Sequence, residues 1–206
     1  VRKESGWVTM SSLNALHSVG LEPTELAAKE GLSLINGTSQ MCAYLALTIL
    51  NLERLVFAAD SSAATSLEAI KGSHSPFDTR IHDNRPQNGQ SISAARISAL
   101  LKGSEIQVSH VDCDRVQDAY CFRCAPQVHG PVIDLLTETR RMLEIEINSA
   151  TDNPLVFVND GEVDVISGGN FHGQNLALAS DSIAFACHEL ASISERRINK
   201  VLDPQW

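Results

Sequence analysis

The longest regular pattern of apolar residues in this chain covers residues 39–70. Its apolar side chains recur every three or four positions, which is the spacing that places them on one face of an α-helix. The positions are Met41, Leu45, Ile49, Leu52 and Val56. Gly72 follows the stretch, and its many alanines would let neighbouring helices approach closely. The pattern predicts a long bundle helix that other elements cover on most of its sides.

Shorter apolar stripes predict further helices. They cover residues 11–19, 22–30, 90–101, 131–148 and 174–202. Pro131 suits the first turn of the helix at 131–148. The inward face of that helix would carry Ile133, Leu136, Leu143 and Ile147. Proline and glycine interrupt residues 73–89, so this segment is predicted to be a loop.

Two neighbouring segments have the composition of β-strands. Residues 155–158 and 162–166 are rich in valine and isoleucine, and Asn159-Asp160-Gly161 lies between them. This arrangement predicts a β-hairpin with a tight turn. Because the other patterned segments are helical, the fold class is predicted to be mainly α: a long-helix bundle with one short β-hairpin.

The composition narrows the classes of function. The chain has 206 residues, a formal net charge of −9 and five cysteines. The negative charge argues against binding nucleic acid or an anionic membrane through bulk electrostatics. We found no apolar run of membrane-spanning length, and an odd number of widely spaced cysteines suits reduced thiols. A cytoplasmic protein without a nucleic-acid or membrane partner is expected.

The most informative polar residues are Gln117, Tyr120 and Arg123, which are three positions apart before Pro126. If one helical turn carries them, the amide, the phenol and the guanidinium lie near one face. The planar fork of arginine matches two carboxylate oxygens, and a phenol can donate a hydrogen bond or move a proton. The group suits a small zwitterion with a carboxylate. The alternative is an ordinary helix with a surface arginine and a core tyrosine.

Several blocks of the chain together resemble the ammonia-lyase family that includes the histidine, phenylalanine and tyrosine ammonia-lyases. They cover residues 29–38, 71–78, 117–130, 146–154, 167–173 and 194–197, in the family's order. The resemblance implies elimination of ammonia from an aromatic L-amino acid. It also implies a homotetramer of long-helix bundles whose active sites use more than one subunit.

The identity of the substrate stays open between several amino acids. Histidine, converted to urocanate, is the expected substrate. Gln174 also resembles the phenylalanine and tyrosine enzymes, and Cys121 stands where the family commonly has serine. A phenylalanine or tyrosine ammonia-lyase and an aminomutase are therefore alternatives.

The segment that forms the family's electrophile is missing from this sequence. Family members cyclise an internal Ala-Ser-Gly tripeptide into a methylidene-imidazolone prosthetic group, and this chain contains no Ala-Ser-Gly. The family's catalytic tyrosine loop and its glutamate-bearing C-terminal segment have no counterpart here either. Residues 1–206 are therefore expected to be the central part of a longer subunit and to be inactive in isolation. The alternative is a non-catalytic helical scaffold that lost the electrophile.

The resemblance also implies roles for six residues of one site. Tyr120 would be the catalytic residue, close to the substrate amine and the electrophile, and Arg123 would clamp the substrate carboxylate. The other four would orient the carboxylate, contact the prosthetic group or line the pocket, and they are Asn36, Gln117, Phe171 and His172.

Three further features have simple structural interpretations. Cys121 and Cys124 form a C-x-x-C pair, but structural zinc requires two more ligands, so no metal is predicted. His188 is expected on a helix surface. Residues 195–197, Glu-Arg-Arg, are expected to form a charged helix face or a subunit contact.

Overall fold

The computed structural model describes residues 1–3, 6–112 and 115–203. The chain divides into two units, Val1–Gly37 and Thr38–Trp206. The first unit contains β1 (Arg2–Lys3), β2 (Gly6–Trp7), α1 (Ser12–His17) and α2 (Glu30–Ser33). The two strands pair in antiparallel orientation, and neither α1 nor α2 contributes a buried residue. Helix α1 confirms the helix predicted near residues 11–19.

The predicted helix at residues 22–30 is wrong. Lys29 has a φ of 72°, a left-handed conformation that cannot continue a right-handed helix. The Glu30 carboxylate accepts a hydrogen bond from the Ala27 amide at 2.7 Å, so a local turn replaces the helix there. None of the residues described in this unit is buried, and without tertiary packing so short a helix is not stable in water.

The second unit is mainly helical, as predicted. In chain order it contains α3 (Ser39–Ala69), a 3₁₀ turn (Ser75–Phe77), α4 (Thr79–Asp83), α5 (Asn88–Leu101), α6 (Glu105–Val108), α7 (Tyr120–Arg123), α8 (Ala125–Glu146), β3 (Leu155–Asn159), β4 (Glu162–Ile166) and α9 (Gln174–Val201). Strands β3 and β4 form an antiparallel hairpin in which Val156 pairs with Val165. The long helix, the helix at 90–101, the hairpin and the last helix are therefore confirmed.

Helices α3, α8 and α9 pack around one apolar cluster. It contains Leu45, Ile49, Leu52 and Val56 of α3, Ile133, Leu136 and Leu143 of α8, and Ile183 and Leu190 of α9. These residues confirm the predicted faces of α3 and α8, except that Met41 is 39% exposed and Ile147 is 58% exposed. The expectation that no apolar run reaches membrane-spanning length is wrong by length and composition, since α3 and α9 could each cross a membrane, as the core helix of a soluble protein also could. Here both bury one face in the shared cluster.

The described residues leave the opposite face of α3 uncovered, so the prediction of cover on most sides is wrong. Large apolar side chains on this face are exposed, namely Tyr44, Leu47, Leu50, Leu55 and Phe57. A helix that is apolar around most of its circumference is typical of the interior of a larger protein or assembly.

Helix α8 begins at Ala125 and not, as predicted, at Pro131. Pro126 occupies its first turn, and Pro131 lies inside the helix. Proline has no amide hydrogen, so one intrahelical hydrogen bond is missing there. Gly130, next to Pro131, touches the backbone of α5 at Gly89. The helical turn at Pro131, which lacks this hydrogen bond, thus lies next to the close contact between α5 and α8 at Gly89 and Gly130.

The segment at residues 73–89 is not the plain loop that its prolines predicted. Phe77 is 3% exposed and anchors the 3₁₀ turn in a second apolar cluster, beside Leu67 and Ile97. His82 of α4 is buried, with Nε2 at 3.1 Å from the carbonyl oxygen of Pro76. Burial of these side chains orders a segment whose sequence alone reads as irregular.

Candidate functional site

Tyr120 and Arg123 are the first and last residues of α7, a four-residue helix. Phe122, between them, is 1% exposed and belongs to the second apolar cluster, at the C-terminal half of α3. Burial of Phe122 directs the neighbouring polar side chains outward. The Arg123 guanidinium carbon lies 4.5 Å from the centroid of the Tyr120 ring, a cation–π contact. The predicted proximity of these two side chains is therefore observed.

The Arg123 guanidinium has no acidic partner among the residues that the structure describes. No carboxylate of this part of the chain lies within 4.0 Å of it, and its buried Nε makes no hydrogen bond. Tyr120 is 73% exposed, so its phenol faces the surface. A guanidinium without a counter-charge beside an accessible phenol can bind the carboxylate of a ligand through paired hydrogen bonds.

Gln117 is exposed and lies before α7, outside any helix. The prediction that one helical turn carries all three polar residues is therefore wrong for Gln117. It lines a cavity of about 290 Å³ together with Ser73, His74 and Asp118. The Asp118 carboxylate is buried and accepts a hydrogen bond from the Ser73 amide at 2.6 Å. Asp118 ties the segment that leads into α7 to the turn after α3, a role that the sequence analysis missed.

Phe171 and His172 lie in the turn before α9, and both are exposed. This turn packs against the N-terminal end of α3, because a Cβ on Gly173 would lie 2.6 Å from the Met41 sulfur. Helix α7 packs near Ala64, so α7 and the turn with Phe171 are separated by roughly 35 Å along α3, at 1.5 Å per residue between Met41 and Ala64. The expectation that Phe171 lies close to Arg123 is wrong within one copy of the chain.

Asn36 belongs to the first unit, in the turn that follows α2. Its side chain is half-buried, and its backbone N–H donates a hydrogen bond to the Leu32 carbonyl oxygen at 2.7 Å. The role of Asn36 stays a prediction. Of the six predicted site residues, the structure brings Tyr120 and Arg123 into contact.

The charged triplet at residues 195–197 is not a uniform helix surface. Glu195 and Arg196 are exposed and pair with each other, but Arg197 is 2% exposed. Its position continues the buried stripe of α9, four residues after Ile193. That register is the sequence signal that would have located Arg197 inside the protein. His188, by contrast, is exposed as predicted.

The described cysteines Cys42, Cys121, Cys124 and Cys187 are free thiols. Burial raises the pKa of the Cys121 thiol, which keeps it protonated and poorly reactive. Across the described residues, no three histidine, cysteine or acidic side chains are grouped so that they could hold a metal ion.

Comparison with known proteins identifies the family. The family model for aromatic amino acid lyases matches residues 4–206. The chain belongs to the aromatic amino acid lyase family. It is 52% identical over 198 residues to the histidine ammonia-lyase of Sorangium cellulosum, a match that covers 95% of this chain and 38% of that enzyme.

Solved structures of aromatic amino acid lyases and related enzymes share this fold. Histidine ammonia-lyase from Trypanosoma cruzi has a TM-score of 0.81 and 44% identity, over 93% of this chain and 35% of that one. Tyrosine aminomutase from Streptomyces globisporus has a TM-score of 0.82 and 39% identity, over 93% of this chain and 40% of that one. The chain thus spans less than half the length of the relatives that it matches.

A methylidene-imidazolone group does not fit a single copy of this aromatic amino acid lyase chain. Tyr120 and Phe171, which the family resemblance assigns to contacts with the group, lie at different ends of α3. The sequence also contains no Ala-Ser-Gly tripeptide from which the group could form. The residues that the resemblance assigns to this group are therefore not brought together within one copy.

Proposed function

We propose that this chain is the central part of an ammonia-lyase that eliminates ammonia from an aromatic L-amino acid, with histidine, converted to urocanate, as the substrate. The observation that carries the proposal is the Arg123 guanidinium, which has no acidic partner in the described part of the chain and stacks on an exposed Tyr120. The segment that holds this pair lies within the region that matches the histidine ammonia-lyase of Sorangium cellulosum.

In this proposal Arg123 binds the substrate carboxylate through two parallel hydrogen bonds. Such a contact sets the orientation of the amino acid, which is the positioning part of catalysis. Tyr120 lies against the guanidinium, so its phenol would lie beside the α-amino group and could hold or transfer a proton there. Gln117, Asn36, Phe171 and His172 would complete the contacts with the substrate or prosthetic group.

The proposed active unit contains more than one copy of the chain, and we propose a homotetramer. Two observations support association. The Tyr120–Arg123 pair and the Phe171 turn are distant within one copy, so one site that uses both needs residues from two copies. The exposed apolar face of α3 also requires a covering partner.

A reducing compartment, the cytoplasm, is the proposed location, since the described cysteines are free thiols. The net charge of −9 supports a small zwitterionic ligand rather than nucleic acid or an anionic membrane as the partner.

The 206-residue chain by itself should show no lyase activity, because nothing in it can form the electrophile. Purified chain would be incubated with histidine, phenylalanine or tyrosine, and the absorbance of the unsaturated acids followed. Turnover above a buffer blank, in a preparation free of complete ammonia-lyase, would contradict this prediction.

Activity should appear when the rest of a lyase is supplied. This can be tested with a hybrid protein, called the exchange enzyme below. In it, this chain replaces the matched segment of the Sorangium cellulosum histidine ammonia-lyase. We expect urocanate formation within about tenfold of the parent rate, because the exchanged segments are 52% identical. Replacement of the same segment by a Tyr120→Phe version provides the control and should be far less active. A folded, soluble exchange enzyme without activity would favour a non-catalytic scaffold.

An aminomutase is the second candidate, since a tyrosine aminomutase shares the fold at a TM-score of 0.82. Chromatography of the products of the exchange enzyme distinguishes the two reactions. A lyase releases ammonia and the unsaturated acid, whereas an aminomutase yields the β-amino acid.

A further inference from the structure

Helix α7 has few interactions of its own to hold it in place. It contains four residues, and its N-cap residue, Ala119, makes no side-chain capping bond. A helix this short is not stable without tertiary contacts. The orientation of Tyr120 and Arg123 must therefore come from what packs against α7, namely the second apolar cluster and helix α9.

Arg197 provides the polar contact between α9 and α7. Its Nη1 donates to the carbonyl oxygen of Cys121 at 3.4 Å, and its Nη2 donates to Ser194 Oγ at 2.9 Å. The Cys121 carbonyl lies in the backbone between Tyr120 and Arg123. A guanidinium fixed on α9 thus contacts the middle of the turn that carries the proposed substrate-binding pair.

Burying this guanidinium is unfavourable, so its presence calls for an explanation. Removal from water lowers the pKa of Arg197, while the negative charge of the Asp60 carboxylate opposes that shift. Replacing a whole buried ion pair by apolar residues is often neutral or stabilising, so stability alone is a weak reason for a buried charge. The contact of Arg197 with the backbone of α7 supplies a second reason, the fixed geometry of that helix.

Asp60 is held rigidly, so it provides a fixed counter-charge. It is fully buried on α3 and accepts hydrogen bonds from Ser93 Oγ at 2.6 Å and from His129 Nδ1 at 2.8 Å. Arg96 approaches its other carboxylate oxygen at 3.6 Å. Helices α3, α5 and α8 are thereby joined in one buried polar layer, and the charge of Arg197 acts on the same carboxylate.

We propose that Arg197 is a positioning residue of the substrate site: it holds α7 so that Tyr120 and Arg123 project together toward the substrate. The effect of Arg197 on catalysis rests on the proposed function. Its effect on the order of α7 does not.

The first measurement is hydrogen exchange in the exchange enzyme carrying Arg197→Met, with Arg196→Met as the matched control on the exposed side of α9. The amides of Phe122, Arg123 and Cys124, which are hydrogen-bonded within α7, should exchange at least about tenfold faster in Arg197→Met, the change expected for loss of one charge-assisted hydrogen bond. The core amides of α8 should keep their rates, and Arg196→Met should change neither. Unchanged α7 exchange, or equal acceleration everywhere, would overturn the proposal.

The second measurement is a double-mutant cycle on kcat/KM for histidine. Arg197→Met should lower kcat/KM at least about tenfold, and Arg197→Lys should restore part of the loss. In an Arg123→Ala background the same change should lower kcat/KM by a clearly smaller factor, because the part of the effect that acts through Arg123 is already lost and only the part through Tyr120 remains. If the losses in kcat/KM caused by Arg197→Met and Arg123→Ala simply multiply in the double variant, Arg197 has only a structural role and the positioning role is rejected. If the exchange enzyme proves inactive, the proposed function fails, and hydrogen exchange still decides whether Arg197 orders α7.

Discussion

Replacing Gly130 by alanine should lower the free energy of unfolding of this chain by about 3 kcal/mol or more, the upper range for overpacking a core. A Cβ at this position would lie 2.4 Å from the Gln90 nitrogen and 2.5 Å from the Gln90 Cα. These are backbone atoms of α5 and cannot turn aside as a flexible side chain can. The contact is reciprocal, since a Cβ on Gly89 would lie 2.0 Å from the Gly130 carbonyl oxygen.

Alanine at Gly130 would therefore push α5 away from α8. That movement would also stretch the hydrogen bond from the Gly89 amide to the Asp134 carboxylate, which is now 2.8 Å long. Both helices carry parts of the buried layer around Asp60, so the damage would reach beyond the point of contact.

Urea unfolding of the 206-residue chain, followed by its helical circular dichroism, measures this effect. Gly168→Ala is the matched control, because a Cβ there would meet no atom within 4 Å. It should change the unfolding free energy by less than about 0.5 kcal/mol, as for a surface substitution. Equal midpoints for the two variants would contradict the close crossing of α5 and α8.

Replacing Arg123 by alanine in the exchange enzyme should reduce kcat/KM for histidine by about 10- to 150-fold. This range corresponds to about 1.5–3 kcal/mol, the usual contribution of a hydrogen bond to a charged group. Both KM and kcat should suffer, because the carboxylate contact binds the substrate and also sets its orientation. Arg123→Lys should recover part of the loss, since lysine keeps the charge but lacks the planar fork.

Arg85→Ala is the matched control for the loss of a positive charge. Arg85 is exposed after α4, outside the proposed site, so steady-state constants should stay within about twofold of the exchange enzyme. Thermal unfolding of each variant would separate loss of fold from loss of function. Normal kinetics for a folded Arg123→Ala variant would remove this residue from the site.

The sequence predicted the elements correctly where a local pattern agrees with the tertiary packing. The helical spacing of Leu45, Ile49, Leu52 and Val56 predicted the buried face of α3. Side chains at this spacing lie on one side of a helix, and the helix buries them by turning that side toward the core. The turn at Asn159-Asp160-Gly161 predicted the hairpin because its local conformation joins two antiparallel strands.

Where it failed, contacts distant in sequence outweighed local preference. Pro131 suggested the start of a helix, but α8 begins at Ala125 and packs its Gly130 against α5. Arg197 appeared to belong to a surface triplet, although its register on α9 places it in the interior. Charge alone predicts exposure. The burial of this arginine is compensated by hydrogen bonds to the Cys121 carbonyl and the Ser194 hydroxyl and by the charge of the Asp60 carboxylate.

The sequence by itself determined the family, the mainly helical fold and the candidacy of Tyr120 and Arg123, because motif order and apolar period are local properties of the chain. Only the tertiary structure decided which of the candidate residues meet. It brings the Tyr120 ring and the Arg123 guanidinium together through the burial of Phe122, and it separates them from Phe171 along α3. The physical reason is the length of α3: residues that pack against opposite ends of one long helix are far apart in space, even when sequence motifs assign them to the same site.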